Sequence, residues 1–370
     1  MVVIQMITEA ALLEQFNGSL QLRKLSLAAP GRQEILVRMV SASVCHTDIA
    51  AIEGEFGRLI PLPMVLGHEG AGVVEAVGDG VKKFKKGDRV VLSVVVHCDN
   101  CRNCAAGRPS ACENFNEIAF GGGLNDGSKR LSLDGRQVSH FFAQSSFSRY
   151  AVVPENVVVH VPDEVQLEKL SVLSCGVQTG SGAVMNSGIP LGSKLAIFGC
   201  GGVGLSAVMG AKVIGAREII AIDVADERLS LARELGATEV INPKKLDAVE
   251  RVKSISGGGV DYAIECVGRT ETIVQAVDCL RPWGTVILVG VPRRGTKIEF
   301  DFFSLFRATV RGCVAGFANS ELFLPLLISL NQEGKFPFEK LSPGSYRFEE
   351  INGAIGDMRS AKVIKPILRF

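Results

Sequence analysis

The sequence lacks an excess of either charge. Among its 370 residues, 40 are Lys or Arg and 39 are Asp or Glu, so the net charge is only +1. Such a balanced chain has no field that attracts nucleic acid or an anionic membrane surface, and we expect neither partner. An uninterrupted apolar run of about 18 residues is missing too, which disfavours a transmembrane span. With neither low-complexity tracts nor repeats, the sequence predicts a globular chain.

Export features are also missing. The opening stretch MVVIQMITEAALLEQF has no basic region and no small-residue cleavage site, so we expect a cytoplasmic protein. Its ten cysteines are then expected to be thiols or metal ligands rather than disulfides. Four of them crowd together, whereas the other six are scattered along the chain.

The pattern of elements predicts two domains. Apolar residues make up 47% of the chain, more than one compact core usually absorbs. From about residue 35 to 162, short β-rich runs broken by glycine predict a barrel-like domain. From about 192 to 316, strand-length and helix-length segments alternate, which predicts a parallel sheet covered by helices. We therefore expect an α/β protein with one domain over residues 1–180 and 320–370 and a second over 181–319.

Two segments carry weaker patterns. The tail after about Asn319 contains two helical stretches and a terminal strand, and is too short to fold alone, so we expect it to return to the first domain. The polar, glycine-rich stretch between Asn116 and Ser139 is predicted to be a long surface excursion.

The crowded cysteines have metal-ligand spacing. They form the pattern C-x2-C-x2-C-x7-C, so four thiolates can converge from one loop on one tetrahedral ion; they are Cys98, Cys101, Cys104 and Cys112. Zinc suits this set best, and because four thiolates fill its coordination sphere the role is structural. An iron-sulfur cluster remains an alternative, since spaced cysteine triplets hold those too. A nucleic-acid-binding finger is disfavoured, because no basic helix accompanies the cysteines.

A glycine fingerprint predicts a dinucleotide site. The motif G-C-G-G-V-G directly follows the apolar strand KLAIF and opens a helical run; its proposed cofactor-binding residues are Gly199, Gly201, Gly202, Val203 and Gly204. Asp223 closes the next strand, 19 residues beyond the last glycine, where it can accept hydrogen bonds from the ribose hydroxyls. Its charge opposes a 2′-phosphate, so we expect NAD to be preferred over NADP. Arg228 softens that preference, because it can pair with a phosphate.

Three scattered residues offer a second donor set. Cys45 lies in S-V-C-H-T-D, His68 in L-G-H-E-G-A-G and Cys175 in L-S-C-G-V-Q-T-G. Taken singly, a cysteine after an apolar strand is more often a buried thiol than a ligand. Together they supply two thiolates and one imidazole, a set that leaves the fourth position of a zinc ion open for catalysis.

The ordered motifs resemble one family over essentially the whole chain. C-H-T-D, G-H-E-G-A-G, the four-cysteine pattern, C-G-x-x-T-G and G-x-G-G-V-G occur in the order of the zinc-dependent medium-chain alcohol dehydrogenases. The segment ending H-F-F-A-Q-S-S-F-S-R-Y-A-V-V is similar to the long members, particularly the aryl (benzyl) alcohol dehydrogenases. The resemblance implies a GroES-like β-barrel catalytic domain, a doubly wound Rossmann domain, NAD, one catalytic and one structural zinc per chain, and a homodimer or homotetramer.

The resemblance also assigns roles by motif. It makes Cys45, His68 and Cys175 the catalytic zinc ligands, and it places Asp48 and Glu69 near the metal, with Asp48 orienting the imidazole. Thr47 matches the hydroxyl that contacts the substrate oxygen and starts a proton relay. Three further residues match cofactor contacts: His46 and Lys365 at the pyrophosphate, and Thr179 near the nicotinamide. Ala50 stands where some relatives place a relay histidine, so the final proton acceptor is water or His46.

The expected activity is reversible oxidation of an aromatic primary alcohol to its aldehyde. Val94 matches a pocket position that often carries an aromatic side chain, and its smaller size leaves room for a broad substrate. Phe56, Phe141 and Phe142 are expected to supply apolar wall, although plain core packing would explain them equally well. The alternatives are an allylic terpenoid (geraniol-type) alcohol dehydrogenase, a glutathione-dependent formaldehyde dehydrogenase and a catalytically silent NAD-binding relative.

Overall fold

The computed structural model describes residues 5–370. The strands are β1 Gln5–Leu13, β2 Gln21–Ala28, β3 Glu34–Ser43, β4 Met64–Val65, β5 Gly70–Val77, β6 Arg89–Leu92, β7 Leu131–Leu133, β8 Arg136–His140, β9 Tyr150–Pro154, β10 Val158–His160, β11 Lys194–Phe198, β12 Glu218–Ile222, β13 Glu239–Ile241, β14 Val260–Glu265, β15 Leu280–Leu288, β16 Thr309–Gly312, β17 Ser345–Arg347 and β18 Ile367–Arg369. The helices are α1 His46–Ile52, α2 Arg102–Ala105, α3 Phe115–Phe120, α4 Gly176–Met185, α5 Gly202–Val213, α6 Asp226–Leu235, α7 Ala248–Ser256, α8 Thr270–Asp278, α9 Phe302–Phe306, α10 Ser320–Gln332 and α11 Ile351–Arg359.

The chain divides into two compact units. The first unit contains the chain up to Cys175 together with residues 319–325 and 339–370, and the second contains residues 176–318 and 326–338. The tail after Asn319 therefore contributes to both units, because the carboxyl-terminal part of α10 belongs to the second. The predicted boundaries at residues 180 and 320 stay a prediction.

The first unit is built mainly from antiparallel strands, with β4 parallel to β8 and β17 parallel to β18. Strands β1, β2, β7, β8 and β4 form a closed barrel, and a seven-stranded sheet runs in the order β10-β6-β5-β3-β18-β17 with β9 also paired to β3. β3 is buried along most of its length, because β9 covers its first half and β18 pairs with its last three residues. This pairing returns the end of the tail to the first unit.

The prediction of a surface excursion between Asn116 and Ser139 was wrong. Part of this stretch forms α3, and another part forms β7 and β8, which complete the barrel. The hairpin turns at Asp134 and Gly135, whose φ angles are +50° and +77°, as a two-residue turn between right-twisted strands requires. Leu131 and Val138 bury their side chains inside, so the stretch belongs to the core.

The second unit is a parallel sheet with helices between its strands. Its six strands run in the order β13-β12-β11-β14-β15-β16, every pair parallel. The central strands read as continuous apolar runs, because both faces of a parallel sheet are covered; Ile220, Ala263 and Val286 are completely buried. The helices carry local signals: the Asp247 side chain caps α7 by accepting from the Glu250 N–H, and Gly257 ends it with φ +71°.

Among residues 5–370, no helix combines the length and the apolar character that crossing a membrane requires.

Candidate active site

Four potential metal donors lie together in the first unit. Cys45, His68, Glu69 and Cys175 each offer one ligand atom, and these atoms all lie within 4.8 Å of one another. Cys45 follows β3 and is the N-cap of α1, His68 and Glu69 immediately precede β5, and Cys175 immediately precedes α4. Because β3 and β5 are antiparallel neighbours, the end of one and the start of the other meet at the same sheet edge.

Asp48 fixes the imidazole of His68. Its Oδ1 lies 3.1 Å from His68 Nδ1, and both side chains are completely buried. The same carboxylate accepts from the backbone N–H groups of Cys45 at 2.9 Å and Gly67 at 3.1 Å, so its own position is fixed. His68 Nε2 is buried and makes no hydrogen bond to any described residue. A buried nitrogen of this kind, beside two thiols, fits a zinc ion.

The donors also interact electrostatically. Hydrogen bonding with the Cys175 thiol lowers the pKa of Cys45 well below its usual range, and the same contact, together with burial, raises the pKa of Cys175. Burial alone lowers the pKa of His68, but the charges of Asp48 and Cys45 raise it well above its usual range. Binding of a divalent cation requires a neutral imidazole and thiolates, so it would release protons from this cluster.

Glu69 is held by a lysine from the other end of the chain. Lys365 Nζ donates to both carboxylate oxygens of Glu69, at 2.6 and 2.5 Å, and to the Val44 carbonyl at 3.3 Å. Burial raises the pKa of Glu69 to about 8 although the lysine charge opposes this. Burial lowers the pKa of Lys365, but Glu69, together with Cys45 and Cys175, raises it above its usual value. Sequence reasoning missed this pairing, and the contact of Lys365 with a pyrophosphate stays a prediction.

The four crowded cysteines converge as their spacing predicts. The sulfurs of Cys98, Cys101, Cys104 and Cys112 all lie within 4.8 Å of one another, with Cys101 and Cys104 at 3.4 Å and Cys98 and Cys112 at 3.6 Å. Backbone N–H groups lower the pKa of Cys101 to about 6, whereas burial raises the pKa of Cys104 to about 12. The four thiols therefore fit a tetrahedral ion such as zinc.

Neighbours of Cys98 anchor this cysteine loop. His97 Nδ1 lies 2.8 Å from Asp99 Oδ1, and Asn156 Nδ2 donates at 2.8 Å both to the His97 carbonyl and to Asp99 Oδ2. The hydrogen bond from His97 lowers the pKa of Asp99. The first cysteine thus stands between two residues that are already fixed.

An aromatic cluster adjoins His68; we define it as Phe56, Phe120, Phe141 and Phe142. The ring of Phe142 stacks on His68 with centroids 4.8 Å apart, and Phe141 meets it edge-on at 5.6 Å. Phe56 instead stacks on Phe120, at 4.7 Å. Sequence reasoning missed Phe120, although the apolar spacing within N-F-N-E-I-A-F is typical of a helical turn.

Val94 lies beside the donor cluster. It is 4% exposed, and its N–H donates to the carbonyl of Ser174, the residue before Cys175, at 3.0 Å. Its place in a substrate pocket stays a prediction.

The glycine motif forms a turn between β11 and α5 in the second unit. Gly199 has φ +89°, a conformation that favours glycine, and a Cβ on Gly204 would lie 1.7 Å from the Gly199 carbonyl oxygen. Gly201 is the N-cap of α5, and a Cβ there would meet no described atom within 4 Å. Open space at a helix N-terminus suits close approach of a pyrophosphate.

Asp223 lies at the end of β12 next to this turn. Its Oδ2 accepts from the Cys200 N–H at 2.7 Å and its Oδ1 from the Ala225 N–H at 2.9 Å. The carboxylate is thereby held beside the glycine motif, as its predicted role at the ribose requires. Arg228 is half-buried on α6. Burial raises the pKa of the nearby Cys200 thiol, and the positive charge of Arg228 acts in the opposite direction.

Four other predicted residues lie on helices. Thr47 follows Cys45 on α1, with its Oγ1 3.7 Å from the Cys45 sulfur, and His46 is exposed on the same helix. Thr179 is half-buried on α4, and Val203 is in the first turn of α5. Their roles stay predictions.

Comparisons with known proteins match both units. Residues 31–163 match the model of the alcohol dehydrogenase GroES-like domain, and residues 202–329 match that of the zinc-binding dehydrogenases. A geraniol dehydrogenase of Castellaniella defragrans is 41% identical over 368 residues, 98% of this chain and 97% of that protein. This chain belongs to the zinc-dependent medium-chain alcohol dehydrogenases. The predicted family, fold class and oxidoreductase activity are confirmed.

Solved structures of this family agree with the fold. A zinc-binding alcohol dehydrogenase domain protein from Burkholderia ambifaria has 44% identity and a TM-score of 0.95, with 99% of each chain covered. Benzyl alcohol dehydrogenase from Acinetobacter calcoaceticus has 40% identity and a TM-score of 0.94, also with 99% of each chain covered. The similar identities of the geraniol and benzyl alcohol enzymes leave both substrate classes open for this chain.

Proposed function

We propose that this alcohol dehydrogenase oxidises aromatic, benzyl-type primary alcohols reversibly to aldehydes with NAD. The observation that carries the proposal is His68, whose Nε2 has no hydrogen-bond partner among the described residues while Phe141 and Phe142 pack against its ring. A metal donor with aromatic walls suits an alcohol whose carbinol carbon carries a flat apolar group. Similarity to benzyl alcohol dehydrogenase supports the same substrate class.

The chain's residues have distinct tasks in this reaction. Cys45, His68 and Cys175 hold the catalytic zinc, and Asp48 keeps the imidazole in the tautomer that presents Nε2. When bound, zinc would supply the Lewis acidity that lowers the pKa of the alcohol hydroxyl, and NAD would supply the hydride acceptor. Thr47 takes the hydroxyl proton and passes it outward.

Water or His46 completes the proton path, because Ala50 has no group that accepts a proton. Glu69 remains hydrogen-bonded to Lys365 beside the donor cluster.

Asp223 supports NAD as the cofactor. Its carboxylate lies beside the glycine motif, where the ribose hydroxyls can donate to it. A 2′-phosphate within about 4 Å would be disfavoured by on the order of 4 kcal/mol at an effective dielectric near 20. Gly201 leaves the open space that a pyrophosphate needs.

We further propose a second, structural zinc on the four crowded cysteines, a homodimer or homotetramer, and a cytoplasmic location. An exposed edge strand supports the oligomer. β16 lies at one edge of the six-stranded sheet of the second unit, and all four of its residues are exposed. Beside it in sequence, α9 exposes Phe302, Phe303 and Phe306 by 67 to 79%. Apolar surface of this kind is typical of protein contacts.

A geraniol-type activity is the second candidate, because the geraniol dehydrogenase relative is 41% identical. Formaldehyde oxidation with glutathione is disfavoured, since the stretch after Cys112 contains Glu113 and Glu117 and no arginine to bind a glutathione carboxylate. A catalytically silent relative is disfavoured because the donor set is complete.

The test measures NAD reduction with benzyl alcohol, geraniol, ethanol and S-hydroxymethylglutathione. The protein's zinc content is determined first, and the assay is repeated after chelation. We expect benzyl alcohol to give the highest kcat/KM and activity to track about two zinc ions per chain. A higher kcat/KM with geraniol would replace the substrate class and keep the chemistry. If no alcohol is oxidised by protein that contains both zinc ions, the silent-relative alternative replaces the proposal.

A further inference from the structure

The aromatic cluster forms a continuous series of rings that begins at a metal donor. Phe142 stacks on His68, Phe120 meets Phe142 edge-on with centroids 5.2 Å apart, and Phe56 stacks on Phe120 at 4.7 Å and 29°. Phe120 also lies 6.0 Å from Phe141, which contacts His68 from another side. Phe120 is therefore the ring that joins both buried members of the cluster to Phe56.

Burial changes along this series. Phe141 and Phe142 are 0% and 4% exposed, whereas Phe56 and Phe120 are half-buried. The stacked Phe56–Phe120 pair is thus where the aromatic cluster reaches the surface of the first unit.

The backbone holds Phe120 in register with the rings beside His68. The Phe142 N–H donates to the carbonyl of Ala119, the neighbour of Phe120, at 2.8 Å. The N–H of His140, the last residue of β8, donates to the Gly122 carbonyl at 2.9 Å. The segment after α3 is therefore fixed to the end of β8. Phe120 consequently has a defined position rather than that of a mobile surface side chain.

We propose that Phe120, as one half of the stacked pair with Phe56, is a specificity-determining residue. It selects alcohols whose carbinol carbon carries a flat unsaturated group, aryl or allylic, over saturated alcohols of the same size; this inference rests on the proposed function. Aromatic rings attract flat π systems through offset and edge-on contacts that a puckered saturated ring cannot make.

The test compares matched pairs of substrates in wild type and Phe120→Leu. The pairs are benzyl alcohol with cyclohexylmethanol, and geraniol with its saturated counterpart 3,7-dimethyloctan-1-ol. Leucine keeps an apolar side chain and removes only the ring. Intrinsic reactivity differs within each pair, but it cancels when the ratio of kcat/KM values in the variant is divided by that in the wild type. We expect Phe120→Leu to lower the preference for the unsaturated member by about 3- to 10-fold.

Two further variants separate selection from packing. Phe56→Leu should lower the preference to a similar extent, and the double variant should lower it little further, because either change destroys the same pair. Phe84→Leu is the matched control: it removes a ring that stacks on His160 at 4.3 Å in the same unit, outside the cluster. It should leave the preference unchanged.

A binding measurement gives a readout without turnover. Saturation-transfer NMR measures the dissociation constants of benzaldehyde and cyclohexanecarbaldehyde. In Phe120→Leu, we expect the dissociation constant of benzaldehyde to rise relative to that of cyclohexanecarbaldehyde. If Phe120→Leu weakens both members of each pair equally, Phe120 only supports packing and the inference is overturned. If the wild-type protein with both zinc ions oxidises none of the alcohols, the proposed function is overturned and the inference with it.

Discussion

Asp48 Oδ1 lies 3.1 Å from His68 Nδ1, with both side chains completely buried. Because this contact determines which imidazole nitrogen faces the donor cluster, a change at Asp48 acts on the metal through His68.

We expect Asp48→Asn to weaken zinc binding at the catalytic cluster by about 10- to 100-fold, with a matching loss of kcat/KM. Asparagine keeps the shape of the side chain but removes the charge that supports the imidazole. Competition with a chelator of known affinity measures the zinc dissociation constant. Asp88→Asn is the control, since Asp88 lies 3.9 Å from the exposed His160, a histidine outside the donor cluster. Unchanged zinc affinity in Asp48→Asn would refute the orienting role.

We expect Cys104→Ser to remove one zinc ion per chain and to leave the catalytic zinc bound. The loop that carries the four cysteines then loses its cross-link, and the melting temperature should fall by several degrees, at about 2–4 °C for each kcal/mol. Metal analysis and a thermal scan measure both effects. Cys313→Ser, which changes a cysteine of the second unit, should alter neither. Iron in the purified protein would favour the iron-sulfur alternative.

We expect Asp223→Asn to shift the preference from NAD toward NADP by at least about tenfold, because the charge that opposes a 2′-phosphate is lost. The amide oxygen can still accept from the Cys200 N–H, which holds the glycine turn, although the hydrogen bond from the Ala225 N–H is lost. The measurement is kcat/KM for both cofactors. Asp226→Asn changes an exposed carboxylate on α6 and should leave the ratio near its wild-type value. An unmoved ratio in Asp223→Asn would argue against contact with the ribose.

His140 should make the protein sensitive to acid. Burial, assisted by the charges of Lys129 and Arg130, lowers the pKa of His140 to about 3, whereas the unfolded chain binds this proton near pH 6.5. Between these values the unfolded state holds the extra proton, so the free energy of unfolding falls by about 1.4 kcal/mol per pH unit of acidification.

Urea denaturation at pH 6.5 and pH 5 measures this effect. Over this interval, the free energy of unfolding of the wild type should fall by about 2 kcal/mol more than that of His140→Gln, because glutamine cannot take up the proton. His160→Gln replaces an exposed histidine and should keep the wild-type loss. Equal losses in wild type and His140→Gln would show that His140 does not stay neutral in the folded chain.

Local patterns were sufficient to predict the sheet of the second unit and the cluster of four crowded cysteines. The strand KLAIF, the glycine motif and Asp223 are close in sequence, and so are the four crowded cysteines, so their spacing alone indicates their chemistry. Cys45, His68 and Cys175 are far apart, and only the resemblance to a family brought them together. Their convergence depends on the pairing of β3 with β5.

The stretch between Asn116 and Ser139 shows where the sequence was misread. Its many polar residues favour a surface loop, yet Asp134–Gly135 between alternating residues is a strong hairpin signal that predicts β7 and β8. That Phe120 joins the rings beside His68 could not be read from local sequence, because the contacts span α3 and two distant segments.

The Glu69–Lys365 pair has a consequence for biosynthesis. The two residues are 296 positions apart, and at about 5–20 residues per second a ribosome needs roughly 15 to 60 s to make the chain between them. Cys45 and His68 are already in the nascent chain when that interval starts, and Cys175 is added during it. Glu69 has no Lys365 to pair with until the interval ends. The whole second unit is translated meanwhile. The first unit can therefore be completed only after the second unit has been translated.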